Sequence, residues 1–204
     1  VYDYGIRKIR YLDLGTNIPN FGNNTFWFYL NNSDGVCVEA DFQLFKKIKK
    51  IRPKDKVIHA GVSISEEKKA IFYVFNEPAL NTFDKEEAIN RTKSGKYKIL
   101  KEVQVDLINI NTLISENFDT YPELISIDIE GLDLDVLKSL DFNTFPIPVF
   151  CVETCEYSET HIRPKNNFII DFMKSKGYFI YADTYINTIF VNTEWFIKKN
   201  IGGK

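Results

Sequence analysis

Short runs of β-branched and other apolar residues alternate with stretches of helical periodicity along the 204-residue chain. Five runs are predicted strands: IRYLDL (9–14), GVCVEA (35–40), KVIHAGV (56–62), ELISIDI (123–129) and PVFCVE (148–153). Most are apolar throughout, which is typical of strands covered on both faces. Because strands that alternate with helices build βαβ units, the sequence predicts an α/β fold with a doubly wound, mostly parallel sheet.

Three segments between the strands have apolar residues at helical spacing. They are DFQLFKKIKKIRP (41–53), GLDLDVLKSLDF (131–142) and NNFIIDFMKSKG (166–177). In the first, Asp41 can cap the start of a helix and Pro53 can end it, and Gly177 is a predicted C-terminal cap of the third. Their apolar stripes predict helices that pack on the sheet.

Two parts of the chain depart from this alternation. KKAIFYVF (68–75) and YKILKEVQVDLINI (97–110) are predicted strands on either side of a polar segment, residues 76–96, which is either a lid or a solvated insertion. YFIYADTYINTIFVN (178–192) predicts a C-terminal antiparallel hairpin that turns near residues 183–187. With no repeat and no linker, we expect a single domain over residues 1–204.

The formal net charge of −2 and the scattered lysines and arginines argue against a long nucleic acid as partner. No apolar run reaches the roughly 18 residues that a membrane span needs, and the opening residues have no signal-peptide pattern. The three cysteines lack metal or disulfide spacing, which indicates reduced thiols. We expect a cytoplasmic protein that acts on small molecules.

Polar residues stand where two of the predicted strands end: Asp13, Gly15 and Asn17 in YLDLGTN, and Glu39 in VCVEAD. In open parallel sheets, ligands bind at the carboxyl ends of the strands, where an acid characteristically accepts hydrogen bonds from ribose hydroxyls. The loop lacks both GxGxxG and GKS/GKT, so it is not built for a pyrophosphate. These features favour an adenosyl ligand whose reactive end is not anionic, and S-adenosylmethionine is the commonest ligand of that kind. The alternative is that Asp13 and Asn17 only shape a turn.

Six motifs occur in the order and spacing of one family. YLDLGTN, VCVEAD, IRPKD, ISIDIEGLDLDVLKSLDF, FCVET and YADTYINTIFV together resemble the FkbM-type S-adenosylmethionine-dependent methyltransferases. The resemblance implies a Rossmann-like class I methyltransferase sheet, with Asp128 and Glu130 at its active edge. The cofactor contacts that it implies are Asp13, Gly15, Asn17 and Glu39, and we predict Thr16, Gly61 and Asp128 as further contacts. The chain departs from the family at Thr16, where alanine is usual, at Pro19 in the loop that follows, and at Ser126, where many members have lysine.

Methyl transfer to oxygen requires alignment of donor and acceptor and removal of the hydroxyl proton. Asp128 ends the fourth predicted strand, and Glu130 lies on the same face if the strand continues through Ile129; otherwise Glu130 caps the next helix. His161 is a further candidate base in a polar loop, whereas His59 fits a core position better than a catalytic one. The predicted catalytic residues are therefore Asp128, Glu130 and His161.

A sugar hydroxyl is a weak acid, and a divalent cation would lower its pKa. Asp128 and Glu153, at the ends of neighbouring strands, can supply oxygen ligands to Mg²⁺ or Mn²⁺, and we found no well-placed lysine that could act instead. The alternative is that one of these acids or His161 acts directly as base.

The sequence thus predicts an S-adenosylmethionine-dependent O-methyltransferase with a small hydroxylated acceptor. The resemblance implies a nucleotide-linked sugar of a bacterial surface-polysaccharide or capsule pathway. Four residues of the terminal hairpin either line the acceptor pocket or pack against the rest of the protein: Tyr181, Thr184, Tyr185 and Asn187. The alternatives are a methyltransferase of another metabolite, a nucleic-acid base methyltransferase and a non-catalytic adenosyl-binding module. A base methyltransferase would need an Asn/Asp-Pro-Pro-aromatic motif where IDIEG stands.

Overall fold

A computed structural model describes residues 8–129, 131–155 and 164–201 of the chain. Within these ranges ten strands form one sheet of seven strands and one of three. The strands are β1 Arg10–Leu14, β2 Asp34–Glu39, β3 Lys56–His59, β4 Gly61–Ser63, β5 Lys69–Phe75, β6 Ile99–Asn109, β7 Leu124–Ile127, β8 Val149–Glu153, β9 Tyr178–Asp183 and β10 Asn187–Asn192. The helices are α1 Phe26–Leu30, α2 Phe42–Ile51, α3 Lys85–Thr92, α4 Ile110–Asn117, α5 Asp133–Ser139, α6 Asn167–Ser175 and α7 Thr193–Ile201, with a 3₁₀ turn at Pro78–Leu80.

The seven-stranded sheet has the order β3-β2-β1-β7-β8-β10-β9. Its strands are parallel from β3 to β8, and β10 runs antiparallel between β8 and β9. The chain passes from β1 outward to β2 and β3 and then returns to place β7 on the other side of β1. The strand order therefore reverses between β1 and β7, where sheets of this kind bind their ligands. This topology confirms the predicted doubly wound, mostly parallel sheet with a C-terminal antiparallel hairpin.

Helices cover both faces of this sheet. On one face, α4, α5 and α6 bury residues such as Leu113, Val136 and Met173 against the alternate side chains of the strands. On the other face, Tyr29 of α1 and Ile48 of α2 pack against residues that include Tyr11 and Cys37. Burial on both faces explains why these strands are apolar along their whole length.

The third predicted strand, residues 56–62, is divided into two. β3 pairs with β2, whereas β4 pairs with β6 in the three-stranded sheet of order β4-β6-β5. Ala60 lies between them and still donates its N–H to the Glu39 carbonyl (3.2 Å). The chain thus changes sheets at this point, and an uninterrupted apolar run gives no sign of such a change.

The three predicted helices are confirmed. Asp41 caps α2 by accepting hydrogen bonds from the Gln43 and Leu44 N–H groups (2.7 and 3.0 Å), and Gly177 follows α6 with a φ of +82°. The sequence did not predict α1, α3, α4 or α7. The three cysteines are free, as expected, and no helix in the described ranges is long and apolar enough to cross a membrane.

Candidate active site

The loop after β1 lies directly against the end of β7. The Asp128 N–H donates to the Leu14 carbonyl (3.1 Å), and the Gly15 N–H donates to the Val38 carbonyl (3.0 Å). Gly15 has a φ of +75°, and a Cβ atom at this position would overlap the carbonyl oxygen of Asp128. Both the conformation and the close approach require glycine here.

Glu39 lies at the end of β2 and is 6% exposed. Its Oε2 accepts a hydrogen bond from the Asn17 N–H (2.9 Å), and its Oε1 accepts one from the Asp41 N–H (2.8 Å). Burial raises the pKa of Glu39 to about 7, although the two N–H groups favour the ionised form. Since each carboxylate oxygen has a second acceptor site, Glu39 can also accept from the hydroxyls of a ligand.

Asn17 has the left-handed conformation, with a φ of 52°. Its side-chain Oδ1 is buried and has no hydrogen-bond partner among the described residues. A buried acceptor without a partner costs roughly 1–3 kcal/mol, so a ligand that supplied an N–H donor at this position would recover that free energy.

Two adjoining cavities open along these strand ends. The first, which we call the apolar pocket, is bounded by Gly15, Asn17, residues 38–40, residues 60–62 and Asp128. The predicted contacts Gly15, Asn17, Glu39, Gly61 and Asp128 all lie on its walls.

The polar segment 76–96 supplies the remaining side of the apolar pocket. Its contribution consists of Pro78, Ala79, Asn81, Thr82 and Phe83. The Phe83 ring packs against Phe72 with a centroid distance of 4.7 Å, and the Arg91 guanidinium supports the segment by donating to the Leu80 carbonyl. This part of the segment therefore forms a wall of the apolar pocket, while α3 behind it carries exposed charges.

The second cavity, which we call the polar cleft, lies on the other side of the loop that follows β1. Its walls are Asp13, Gly15, Thr16, Asn17, Ile18, Phe21, Gly22, Asn23, Asn24, Ser126 and Asp128. Gly15, Asn17 and Asp128 line both cavities. Asp128 therefore stands at the junction between an apolar pocket and a polar one.

Two predicted contacts, Asp13 and Thr16, are buried in the floor of the polar cleft. Asp13 uses Oδ2 to accept hydrogen bonds from Thr25 Oγ1 (2.7 Å) and Asn23 Nδ2 (3.1 Å). The Thr16 hydroxyl donates to the Asp13 carbonyl (3.2 Å). Both side chains thus shape the loop as well as line the cleft.

The predicted acidic pair, Asp128 and Glu153, lies at neighbouring positions. The register pairs Ile127 of β7 with Val152 of β8, so Asp128 and Glu153 follow paired residues at the ends of adjacent strands, whose backbones lie about 4.8 Å apart. Asn187 of β10 pairs with Glu153 in turn. In the described part of the chain, no group of three or more His, Cys, Asp or Glu residues could hold a metal ion.

A row of polar side chains connects the loop after β1 to the terminal hairpin. Asn24 Nδ2 donates to Ser126 Oγ (3.2 Å), and Asn187 Nδ2 donates to Asn24 Oδ1 (3.4 Å). The Asn187 Oδ1 is buried and has no hydrogen-bond partner in the described ranges. Tyr181 and Thr184 line a groove beside Asn187, whereas Tyr185 is an exposed residue of the turn.

The segment after β7 is held by Asp133, a residue that the sequence did not single out. Its two carboxylate oxygens accept hydrogen bonds from the Ile129 N–H (3.3 Å) and the Gly131 N–H (3.2 Å). Burial, together with the charge of Asp128, raises the pKa of Asp133 to about 6. An acid in the first turn of a predicted helix was the available signal.

The other catalytic predictions have different outcomes. β7 ends at Ile127, so strand alternation does not place Glu130 on the face of Asp128. Glu130 and His161 themselves lie outside the described residues. His59 is a packing residue, as favoured: its Nε2 is 3.0 Å from the Ala40 carbonyl, and its ring contacts Phe42 and Phe45.

The expectation that no lysine is well placed stays a prediction, and among the described residues no lysine lines the apolar pocket or the polar cleft. One lysine, Lys165, does reach the carboxyl end of the sheet. Lys165 Nζ lies 3.0 Å from Thr154 Oγ1, directly after β8, and 2.9 Å from Asp183 Oδ2 at the end of β9. Its position in a polar stretch before α6 gave no indication that it would reach the carboxyl end of the sheet.

A sequence profile of the Methyltransferase FkbM domain matches residues 13–180, which include all described residues of the predicted cofactor, catalytic and metal sites. The chain belongs to the FkbM methyltransferase family. Membership identifies it as an S-adenosylmethionine-dependent methyltransferase. No curated protein sequence matches the chain.

Solved methyltransferases are similar in fold but remote in sequence. A TehB-like S-adenosylmethionine-dependent methyltransferase from Corynebacterium glutamicum is 8% identical with a TM-score of 0.46, over 92% of this chain and 82% of that one. The Burkholderia thailandensis 1,6-didemethyltoxoflavin-N1-methyltransferase, with bound 1,6-didemethyltoxoflavin and S-adenosylhomocysteine, is 9% identical with a TM-score of 0.49, over 94% and 74%. The glycopeptide N-methyltransferase MtfA is 9% identical with a TM-score of 0.43, over 89% and 82%. At these values we draw no conclusion about the acceptor from them.

Proposed function

We propose that this FkbM-family protein methylates a hydroxyl of a small polar acceptor, a nucleotide-linked sugar of a surface-polysaccharide pathway, in the cytoplasm. The observation that carries the proposal is the position of Asp128, which lines both the apolar pocket and the polar cleft. A carboxylate at that junction is suited to act on a hydroxyl group presented to a methyl donor.

The apolar pocket and its rim fit S-adenosylmethionine. Glu39 offers acceptor sites for the two ribose hydroxyls, and the walls around Gly61 and Phe83 suit a flat base. At the other end, the methionine part extends into the polar cleft, where the buried Asn17 Oδ1, which has no partner among the described residues, can accept from its ammonium group. The bound cofactor supplies the methyl group on a positively charged sulfur, and no anionic phosphate has to be accommodated beside Glu39.

The chemistry requires one bond to form and one to break. The acceptor oxygen attacks the methyl carbon, the bond electrons remain on sulfur, and the hydroxyl proton must leave. In our proposal Asp128 takes up this proton and holds the hydroxyl in line with the methyl group. Asp133 contributes by holding the N–H groups of Ile129 and Gly131, which fixes the chain that follows Asp128.

The row formed by Asn24, Ser126 and Asn187 supports a sugar as acceptor. Sugar hydroxyls both donate and accept hydrogen bonds, and amide and hydroxyl side chains do the same. The buried Asn187 Oδ1, which has no partner in the described residues, offers an acceptor to one such hydroxyl.

A divalent cation between Asp128 and Glu153 is a second element of the proposal. The adjacent carboxylates favour it because hard oxygen ligands suit Mg²⁺ and Mn²⁺. Two carboxylates are an incomplete ligand set, so no step above depends on the ion. Activity that persists after exhaustive chelation would eliminate the cation, whereas loss that is restored by Mg²⁺ or Mn²⁺, and not restored in Glu153→Ala, would support it.

Mass spectrometry of reactions with a panel of nucleotide-linked sugars tests the proposed function. We expect one sugar to gain a single methyl group in the presence of wild-type protein and S-adenosylmethionine, and to remain unmodified with Asp128→Asn. A panel without any methylated sugar, alongside methylation of a nucleic acid or an amine, would refute the proposed acceptor class.

A further inference from the structure

A buried cluster of charged groups lies beneath the loop that follows β1. Its centre is Arg52, the residue directly after α2, whose side chain is 0% exposed. The Arg52 Nε donates to Asp55 Oδ2 (2.7 Å), and the Tyr11 hydroxyl donates to Asp55 at 2.8 Å. The Gly35 N–H also donates to Asp55 (3.1 Å). These hydrogen bonds offset the cost of burying the negative charge of Asp55, and they fix one side of the Arg52 guanidinium.

The other side of the guanidinium faces the loop. Arg52 Nη2 donates to Thr25 Oγ1 (2.9 Å), and Nη1 donates to Asn23 Oδ1 (3.1 Å). Nη1 also lies 3.6 Å from Asp13 Oδ2. One side chain therefore contacts Asp13 of β1 and two of the polar residues that precede α1, Asn23 and Thr25.

These partners hold the loop from both of its ends. Asn23 Nδ2 donates to the Thr16 carbonyl (2.9 Å) and to Asp13 Oδ2 (3.1 Å), and Thr25 Oγ1 donates to Asp13 Oδ2 (2.7 Å). Residues 16–24 between these anchors supply most of the polar cleft. The shape of the cleft consequently depends on where Arg52 places Asp13, Asn23 and Thr25.

Arg52 remains charged in this environment. Burial lowers its pKa, but the nearby Cys37, Asp13, Tyr11 and Asp55 raise it, and the net effect is a pKa above the ordinary value. Buried ion clusters are often no more stabilising than well-packed apolar residues of the same volume. Stability alone is therefore a weak reason for a charged group at this position, whereas a fixed, forked donor can hold three loop side chains in one geometry.

We infer that Arg52 is a positioning residue for the methionine end of the cofactor, acting through Asp13, Asn23 and Thr25 on the polar cleft. This rests on the cofactor placement proposed above. Among the described residues that line the apolar pocket, none is Arg52 or one of these three partners. The cluster should thus affect the amino-acid end of the ligand and leave the adenosyl end unaffected.

Two ligands separate the ends of the cofactor: S-adenosylhomocysteine, and 5′-methylthioadenosine, which has the same adenosyl thioether without the amino acid. We expect Arg52→Lys, which keeps the charge and loses the fork, to weaken S-adenosylhomocysteine by about tenfold or more, the size of a lost hydrogen-bonded contact. Methylthioadenosine should change by less than about threefold. Calorimetry measures both.

Two further variants make this experiment decisive. Thr25→Val keeps the side-chain shape and removes the hydroxyl of a residue that does not line the polar cleft. It should weaken S-adenosylhomocysteine and spare methylthioadenosine, as Arg52→Lys does. If Arg52→Lys does not fold, Thr25→Val serves as the test in its place. Arg91→Lys, a matched change at the buried arginine that supports residues 79–81, should weaken both ligands equally.

Equal losses for the two ligands in Arg52→Lys and Thr25→Val, or no loss in either, would overturn the inference. Wild-type protein that binds neither ligand would instead refute the cofactor placement, and the inference with it.

Discussion

The backbone of Gly15 lies against the carbonyl oxygen of Asp128, so that the loop after β1 and the chain that follows β7 are in direct contact. Only a residue without a Cβ atom permits this approach. The contact joins the proposed cofactor loop to the proposed base, and it sets the distance between the two functional parts of the site.

Replacement of Gly15 by alanine should be far more damaging than the same change at Gly22. Both glycines have a positive φ, but a Cβ at Gly22 would meet no atom within 4 Å. Gly22→Ala should therefore lower the free energy of unfolding by about 1–2 kcal/mol, the cost of the left-handed conformation. Gly15→Ala adds the overlap with Asp128 and should cost more than about 4 kcal/mol or prevent folding. Urea denaturation compares them, and equal losses would show that the close approach is unimportant.

Affinity for S-adenosylhomocysteine should depend on the ionisation of Glu39. Burial raises the pKa of this carboxyl to about 7, and the ionised form is the better acceptor for ribose hydroxyls. Wild-type affinity should therefore increase as the pH rises from about 6 to 8, while Glu39→Gln shows no such increase and Glu39→Ala binds more weakly by roughly 1–3 kcal/mol. Calorimetric titration with S-adenosylhomocysteine across this pH range measures these affinities. Parallel pH profiles for wild type and Glu39→Gln would contradict the placement of the ribose at Glu39.

The Glu39 carboxyl should also make the ligand-free protein less stable as the pH rises. The folded pKa of about 7 exceeds the unfolded value of about 4.3, so between these values the folded state binds more protons. The free energy of unfolding must then fall with increasing pH across that window. Glu39→Gln removes this titration. The free energy of unfolding of the variant, relative to that of wild type, should therefore increase from pH 5 to pH 7.

Asp128→Asn should reduce turnover and leave cofactor affinity nearly unchanged. The variant preserves shape but removes the proton acceptor, and a general base contributes typically ~100-fold or more to the rate. Asp135→Asn is a suitable control because Asp135 is about half exposed on α5, beside Lys138. A turnover for Asp128→Asn close to that of the control would exclude the proposed role.

Asp133 should matter for stability and turnover together. Asp133→Ala leaves the N–H groups of Ile129 and Gly131 without their acceptor, which should cost roughly 1–3 kcal/mol of unfolding free energy. Asp133→Asn retains one acceptor oxygen and should lose less. Thermal unfolding and steady-state kinetics test this order; an alanine variant as stable and active as wild type would mean that the segment holds its shape without Asp133.

The main sheet was predictable because its central strands are buried on both faces and so form continuous apolar runs. That property also concealed the break at Ala60, since the change of partner from β2 to β6 leaves no trace in hydrophobicity. The short helix α1 has no polar face to reveal a period, and α4 begins at Ile110, where the predicted strand 97–110 ends, so that residues 111–117 were assigned to no element.

Within the site, residues at strand ends were predictable and the groups that hold them were not. Asp13, Gly15, Asn17, Glu39 and Asp128 follow from strand boundaries and turn chemistry. The roles of Arg52 and Lys165 depend on partners far away along the chain, at Asp13 and Asp183 respectively. One sequence contains no record of such pairings.

The central claim is that the methyl group is transferred to a hydroxyl next to Asp128. S-adenosylmethionine labelled with ¹³C in its methyl group, incubated with the protein and nucleotide-linked sugars, reports the acceptor atom through the carbon shift of the product. We predict an oxygen-bound methyl signal on a sugar that is lost in Asp128→Asn and retained in Asp135→Asn. A nitrogen-bound methyl, or an oxygen-bound signal of equal intensity in Asp128→Asn, would contradict the account.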